Sequence, residues 1–203
     1  MAPNSRVSGA TLSRRTVADE IGATQIVVSA DLRVALIDPA CQLLISVDSA
    51  GAGFVAAARD VLGVPLPLEP NRIVGDDISC VWLAPGHWLA VAETPVDGGF
   101  IERTARTIAA AGGMASDVTD GLAVFEIEGP AARELLAMGT KVDLRAARFG
   151  IGQSARTVFA GVRATLYPHR SAERFRIHVE RAVARHVHAW LMKAASALAP
   201  PGT

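Results

Sequence analysis

Short stretches in which apolar and polar residues alternate with period two are interleaved with stretches of helical spacing along this 203-residue chain. The clearest of them is residues 80–93, two apolar runs folded back across Pro85-Gly86. Proline presets the first central position of a turn and glycine accepts a positive φ at the second, so the two arms are expected to pair as a hairpin. Trp82 and Trp88 flank its tip; residues of that size anchor either a core or a contact surface, and their alternation with Leu and Val favours a core.

Upstream, residues 43–47 read as a compact strand, and residues 49–62 as a helix with Phe54, Ala58, Val61 and Leu62 on one side. Gly63 is placed to end that helix, and Pro65, Pro67 and Pro70 impose an extended loop. Downstream, residues 98–111 carry Ile101, Ala105 and Ile108 at helical spacing, and Gly112-Gly113 stops them. Strands follow at 114–118 and 123–128. Gly129-Pro130 then opens a helix with Leu135, Leu136 and Met138 on its inner face, closed by Gly139. Residues 155–160 and 162–167 form a second hairpin around Gly161, residues 174–180 alternate without a fault, and residues 182–198 make the last amphipathic helix.

That order predicts an α+β fold of two ferredoxin-like split β-α-β lobes with antiparallel sheets. The expected division is an N-terminal arm or lead-in at 1–40, a first lobe at 41–113 and a second at 114–203. Within the lead-in, residues 25–28 and 32–37 each have the composition of a short strand.

Half of the residues are hydrophobic, and the mean hydropathy is +0.30. A charged residue or proline nevertheless interrupts every apolar run before the roughly 20 residues that a bilayer crossing needs, so no membrane span is expected. The start, Met1-Ala2-Pro3-Asn4-Ser5-Arg6, does not read as a secretory signal, and the cytoplasm is the expected location. Cys41 and Cys80 form no C-x-x-C pair and read as small buried hydrophobes. Net charge is zero but unevenly spread. Residues 1–130 hold 8 Arg and no Lys against 16 acids, whereas residues 131–203 hold 10 Arg and 2 Lys against 4 acids. Such a split implies either an anionic partner for the basic part or attraction between the halves within one fold.

Candidate chemistry is sparse. Gly51-Ala52-Gly53-Phe54-Val55-Ala56 fits G-x-G-x-x-A, but two residues separate strand from glycines and no parallel strand ending in an acid follows, so small residues in an alanine-rich helix explain it better than a dinucleotide site. His186 and His188 do not face each other on a helix, and they and His178 read as solvated imidazoles rather than metal ligands. His87 reads as a turn residue. Asp117, Asp120, Glu126 and Glu128 are the carboxylates to inspect for proton transfer, with Glu126 and Glu128 predicted on an outward, solvated strand face. The arginines Arg156, Arg163, Arg170, Arg174 and Arg176 suit bidentate contact with carboxylate or phosphate. With one tyrosine and six phenylalanines, the chain has little material for stacking bases, and no nucleic acid partner is expected.

A resemblance adds to this reading. Val118-Thr119-Asp120, Gly129-Pro130-Ala131-Ala132 with Leu135-Leu136, Val142-Asp143-Leu144, Phe149 and Gly152-Gln153 resemble the folate-binding fold of the glycine-cleavage aminomethyltransferases. The stretch from Trp82 to Leu89 and the run Phe175-Arg176-Ile177-His178-Val179-Glu180-Arg181 look more specifically like the gamma subunits of heterotetrameric sarcosine oxidase. The likeness spans about residues 40–198.

In the aminomethyltransferases a hairpin glycine is followed by an aspartate pair, one member of which assists the folate chemistry. Here Gly161 is followed by Val162-Arg163-Ala164-Thr165, and neither Ala nor Thr titrates near neutral pH. Glu180-Arg181 stands where those enzymes carry an asparagine, and the likeness does not extend to their separate C-terminal barrel.

The resemblance therefore implies a non-catalytic subunit with no catalytic or metal residues of its own and no cofactor bound by the chain alone, and it leaves open which residues, if any, keep a folate or anion site. It implies alpha, beta and delta subunits as partners, and a complex using FAD, FMN, NAD and tetrahydrofolate to oxidise sarcosine to glycine. Self-association of the isolated chain is a further expectation. Two alternatives stay open: a stand-alone folate-binding protein or aminomethyltransferase-like enzyme, and a gamma-type subunit of a complex acting on another N-methyl amino acid. A nucleotide-binding module using Gly51 and Gly53 is the third reading to test.

Overall fold

The structure is a computed structural model that describes residues 25–29 and 31–198. Eleven strands are described among these residues, and every strand pairing is antiparallel. β1 (Gln25–Ser29), β2 (Leu32–Ile37), β8 (Leu122–Glu128), β9 (Ala155–Phe159), β10 (Val162–Pro168) and β11 (Arg174–Glu180) form a six-stranded sheet in the order β1-β2-β8-β11-β10-β9. β3 (Cys41–Ser46), β4 (Ile73–Val74), β5 (Ile78–Ala84), β6 (His87–Ala92) and β7 (Met114–Asp117) form a five-stranded sheet in the order β4-β5-β6-β3-β7.

The α+β class and the antiparallel sheets match the pattern in the chain, but the sheets do not part at residue 113. β7 returns to pair with β3, while β2, from the lead-in, pairs with β8 across the sequence. Arm residues 1–24 lie outside the described residues.

Helices α1 (Ala52–Leu62) and α2 (Phe100–Ala110) cover the outer face of the five-stranded sheet, around Leu43, Ile45, Trp88 and Ala90. α1 begins three residues later than its periodicity suggests and stops at Gly63, whose φ of 74° supplies the left-handed turn. The buried stripe of α2 is Phe100, Thr104 and Ile108, so the helix is rotated from the Ile101 and Ala105 expectation.

α3 (Ala132–Ala137) and α4 (Ala184–Leu198) cover the outer face of the six-stranded sheet, around Phe125, Ile127, Leu166, Phe175 and Ile177. Met138, expected inside, is 51% exposed because α3 has already ended.

The 80–93 hairpin forms as β5 and β6, with Trp82 opposite Trp88. Gly86 has φ 70°, and a Cβ there would collide with the carbonyl oxygen of Val47. Trp88 is buried against Phe54 and donates its indole N–H to the carbonyl of Pro67 at 2.7 Å, so the proline-rich loop is tied to the hairpin.

The inner faces of the two sheets meet. Val81, Leu89 and Val91 from one sheet pack with Tyr167 from the other, giving four layers in the order helix, sheet, sheet, helix.

Candidate functional site

The interface between the sheets holds most of the buried polar chemistry. Strand alternation sends Phe175, Ile177 and Val179 of β11 outward to the helices and Arg174, Arg176 and His178 inward to the second sheet. Register then brings like-facing neighbours together: His178 lies opposite Thr165 on β10 and Val124 on β8, and Arg176 lies between Tyr167 and Glu126.

His178 is 3% exposed. One ring nitrogen, Nδ1, is 2.8 Å from Oε1 of Gln42 on β3, and the other, Nε2, is 2.8 Å from the Tyr167 hydroxyl. Because the Gln42 carbonyl oxygen only accepts, this arrangement places the proton on Nδ1, and Nε2 accepts from tyrosine. Burial, aided by Arg176 and then His169, pushes the imidazole down to about 3, so it is neutral at physiological pH. The backbone N–H of Gln42 donates to the Thr119 hydroxyl at 2.8 Å, and Asp117 accepts from the Thr119 backbone at 2.9 Å. One hydrogen-bonded chain therefore runs from the six-stranded sheet into the five-stranded one.

Next to it lies a buried ion cluster. Arg176 donates through Nε and Nη2 to Glu126 at 3.3 and 3.2 Å, and through Nη1 to Glu93 at the end of β6. Two further pairs flank it: Arg174 with Glu128 at 2.5 Å, and Arg170 with Asp77 at 3.2 Å. The Arg174 hydrogen bond holds the Glu128 carboxyl below its usual range.

His169, 5% exposed, is pushed down to about 3 by burial, then by Arg176, Arg170 and Arg174. Glu93, Glu126, His169, Arg170, Arg174 and Arg176 line a polar cleft of ≈ 380 Å³. A second, more apolar cleft of ≈ 240 Å³ opens beyond His178 and Thr165.

These placements correct two expectations. Glu126 and Glu128 do share a strand face, but that face looks at the second sheet: Glu126 is 8% exposed and Glu128 is half-buried. His178 is likewise a buried hydrogen-bonding group. His186 is exposed and donates to the Ala160 carbonyl at 2.8 Å, while His188 is half-buried and pushed down by that burial.

His87 sits at the hairpin turn against the carbonyl of Pro85, and Asp117 and Asp120 are exposed. Cys41 and Cys80 are free and buried, and burial pushes the Cys80 thiol up to about 12. β3, which precedes Gly51, has antiparallel neighbours on both sides, so the parallel unit of a dinucleotide site is missing there. Among the described residues, no cluster of His, Cys, Asp and Glu could hold a metal.

The inward network was partly legible. Glu126 and Glu128 repeat at the same spacing as Arg174 and Arg176, and this complementary pattern on two alternating strands is what the paired register uses. Nothing in the sequence singled out Gln42 or Tyr167.

After Gly161, Val162 is half-buried, Arg163 is exposed, Ala164 is buried toward the helices, and Thr165 faces the inner cleft. No carboxylate stands in these four positions.

The profile of the sarcosine oxidase, gamma subunit family matches residues 46–197. The chain belongs to that family. Its relatives include the sarcosine oxidase gamma subunits of Corynebacterium sp. (strain P-1), 29% identical over 155 residues that make up 73% of each chain, and of an Arthrobacter species, 28% identical over 156 residues covering 75% of this chain and 73% of the relative.

In fold, this gamma-family chain is similar to a chain of the heterotetrameric sarcosine oxidase from Corynebacterium sp. U-96, with a TM-score of 0.81 and 22% identity over 94% of this chain and 98% of that one. Aminomethyltransferase T of the glycine cleavage system from Bartonella henselae shares the fold more distantly. Its TM-score is 0.56 at 14% identity, over 87% of this chain and 48% of that one.

The basic tail end of the gamma-family chain satisfies much of its charge within the fold. Arg170, Arg174 and Arg176 pair with Asp77, Glu128, Glu126 and Glu93 of the acidic part. Attraction between the halves accounts for these three arginines.

Proposed function

We propose that this chain is the gamma component of a heterotetrameric sarcosine-oxidase-type complex, in which it contributes assembly and support rather than a reacting group. Family membership carries the reading. It is supported by the residues after Gly161, where an arginine, an alanine and a threonine stand in place of the acids that folate chemistry would use. It is supported too by the use of the buried histidine, arginine and glutamates in joining two sheets.

In this reading the partners are alpha, beta and delta subunits, and FAD, FMN, NAD and tetrahydrofolate are held by those neighbours. The complex oxidises sarcosine, or a related N-methyl amino acid, in the cytoplasm. No described helix is long and apolar enough to cross a membrane.

Exposed Val158 on β9, an outer strand of the six-stranded sheet, lies with exposed Met138 along one cleft, and together they offer an apolar strip for a neighbouring subunit. Co-expression with candidate alpha, beta and delta chains should yield a yellow complex in which this chain co-elutes in stoichiometric amount. Elution of the chain apart from a flavin-bearing remainder would overturn the reading.

A further inference from the structure

The smaller cleft between the sheets has a chemical asymmetry that the packing of the fold does not use. Its walls are Leu44, Leu83 and Leu89 from the five-stranded sheet, with Val118 from the connection into β8 and Leu122 at the start of β8. Its rim carries Arg156 on β9 and Arg163 on β10.

Register explains why both arginines reach it. Arg156 lies opposite Thr165, and Arg163 lies two residues before Thr165 on the same strand, so the three share the inward face. The arginines are diagonal neighbours, and diagonal positions sit about 7–8 Å apart, close enough for two long side chains to converge on one group. Neither makes a hydrogen bond or ion pair with any described residue, in contrast to Arg170, Arg174 and Arg176 in the polar cleft.

At the inner end, both ring nitrogens of His178 are already engaged, by Gln42 and Tyr167, and the ring is neutral. No cation is available there to meet a buried negative charge.

We propose that this cleft binds a small monocarboxylate with an apolar body, the body lying between the leucines and the carboxylate held at the rim by Arg156 and Arg163. Two guanidinium forks match a carboxylate in geometry and charge, and an anion between them relieves their mutual repulsion. The leucine and valine walls remove the apolar body from water. Glu180 lines the same rim, next to Arg163 across β10 and β11, so the two arginines exceed it by a single positive charge, which suits one carboxylate and disfavours a second. A volume of ≈ 240 Å³ lies below the roughly 300–1,000 Å³ of sites for drug-sized ligands, which restricts the occupant to about one ring or a short branched chain.

The test is calorimetric titration of the full chain with benzoate and with cyclohexanecarboxylate, against benzamide and cyclohexanecarboxamide as neutral counterparts of the same shape. Both acids should bind saturably and the amides at least about tenfold more weakly. Arg156→Gln with Arg163→Gln should abolish that preference, and both sites are exposed, so the fold should survive. Leu83→Trp, which fills the cleft from the opposite sheet, should block acids and amides alike, while Arg145→Gln, on a loop outside the cleft, should change nothing. Absence of saturable binding at millimolar acid, equal binding of acid and amide, or full affinity in the double arginine variant would overturn the proposal. None of these outcomes depends on whether the chain co-purifies with partner subunits.

Discussion

His178 and His169 are buried imidazoles, and both are held neutral well below the ordinary imidazole range. Unfolding returns each to a value near 6.5, so between about pH 6.5 and 3 the unfolded chain binds more protons than the folded one. Their contribution to stability is fully present above pH 6.5 and is lost progressively as pH falls toward 3. Each histidine should add a slope of up to about 1.4 kcal/mol per pH unit in that window.

Urea titrations at pH 7, 6 and 5, where exposed carboxylates are still ionised, should show the midpoint dropping with acid. The double variant His169→Gln, His178→Gln should be less stable at pH 7 but flatter across the series. An equally steep slope in the variant would assign the acid sensitivity to other groups.

At the scale of the element, the β5–β6 hairpin shows how far local chemistry determines structure. Pro85-Gly86 specifies the turn, and the turn is sealed by a backbone hydrogen bond from Val47 to the Gly86 carbonyl at 2.9 Å. Gly86→Ala would place a methyl group against the Val47 carbonyl oxygen and force a positive φ on a residue that resists it. A loss of about 1–3 kcal/mol is expected, read as a lower thermal midpoint.

α2 shows the opposite case. Ile101, Ala105 and Ile108 outline an apolar stripe, yet the helix buries Thr104 fully and leaves Ile101 half-buried, because α1 and β7 fix its rotation. Periodicity defines a face about 100° wide, and contact with neighbours chooses the line within it.

For the whole molecule, the decisive join is the one between sheets, and its interactions are unequal. Arg176 is 7% exposed at the side chain and faces Glu93 at 13% and Glu126 at 10%, whereas Arg170 and Asp77 are 47% and 77% exposed. Removing one partner of a buried cluster leaves desolvated charge behind, so Arg176→Leu should cost about 3–5 kcal/mol. Breaking an exposed pair exchanges one solvated state for another, and Asp77→Asn should cost less than about 1 kcal/mol. Equilibrium denaturation of the two variants side by side checks the ordering, and comparable losses would contradict the burial argument.

The sequence by itself determined the helices, the two hairpins, every described strand except the two-residue β4, and the division of those strands into two faces, because these follow from torsional preference and from spacing within about ten residues. It also carried the family resemblance through residues distributed along most of the chain. What tertiary structure alone decided was the environment of the polar faces. Alternation states that Glu126, Arg176 and His178 point away from Phe125 and Ile177, but not whether water or another sheet lies on that side. The alternation in β6 reads as a half-buried strand, whereas the structure buries every position after His87, because Tyr167 packs on Leu89 and Val91 and covers the second face of the sheet. Burial is a property of two surfaces that meet, and one strand's sequence encodes only one of them.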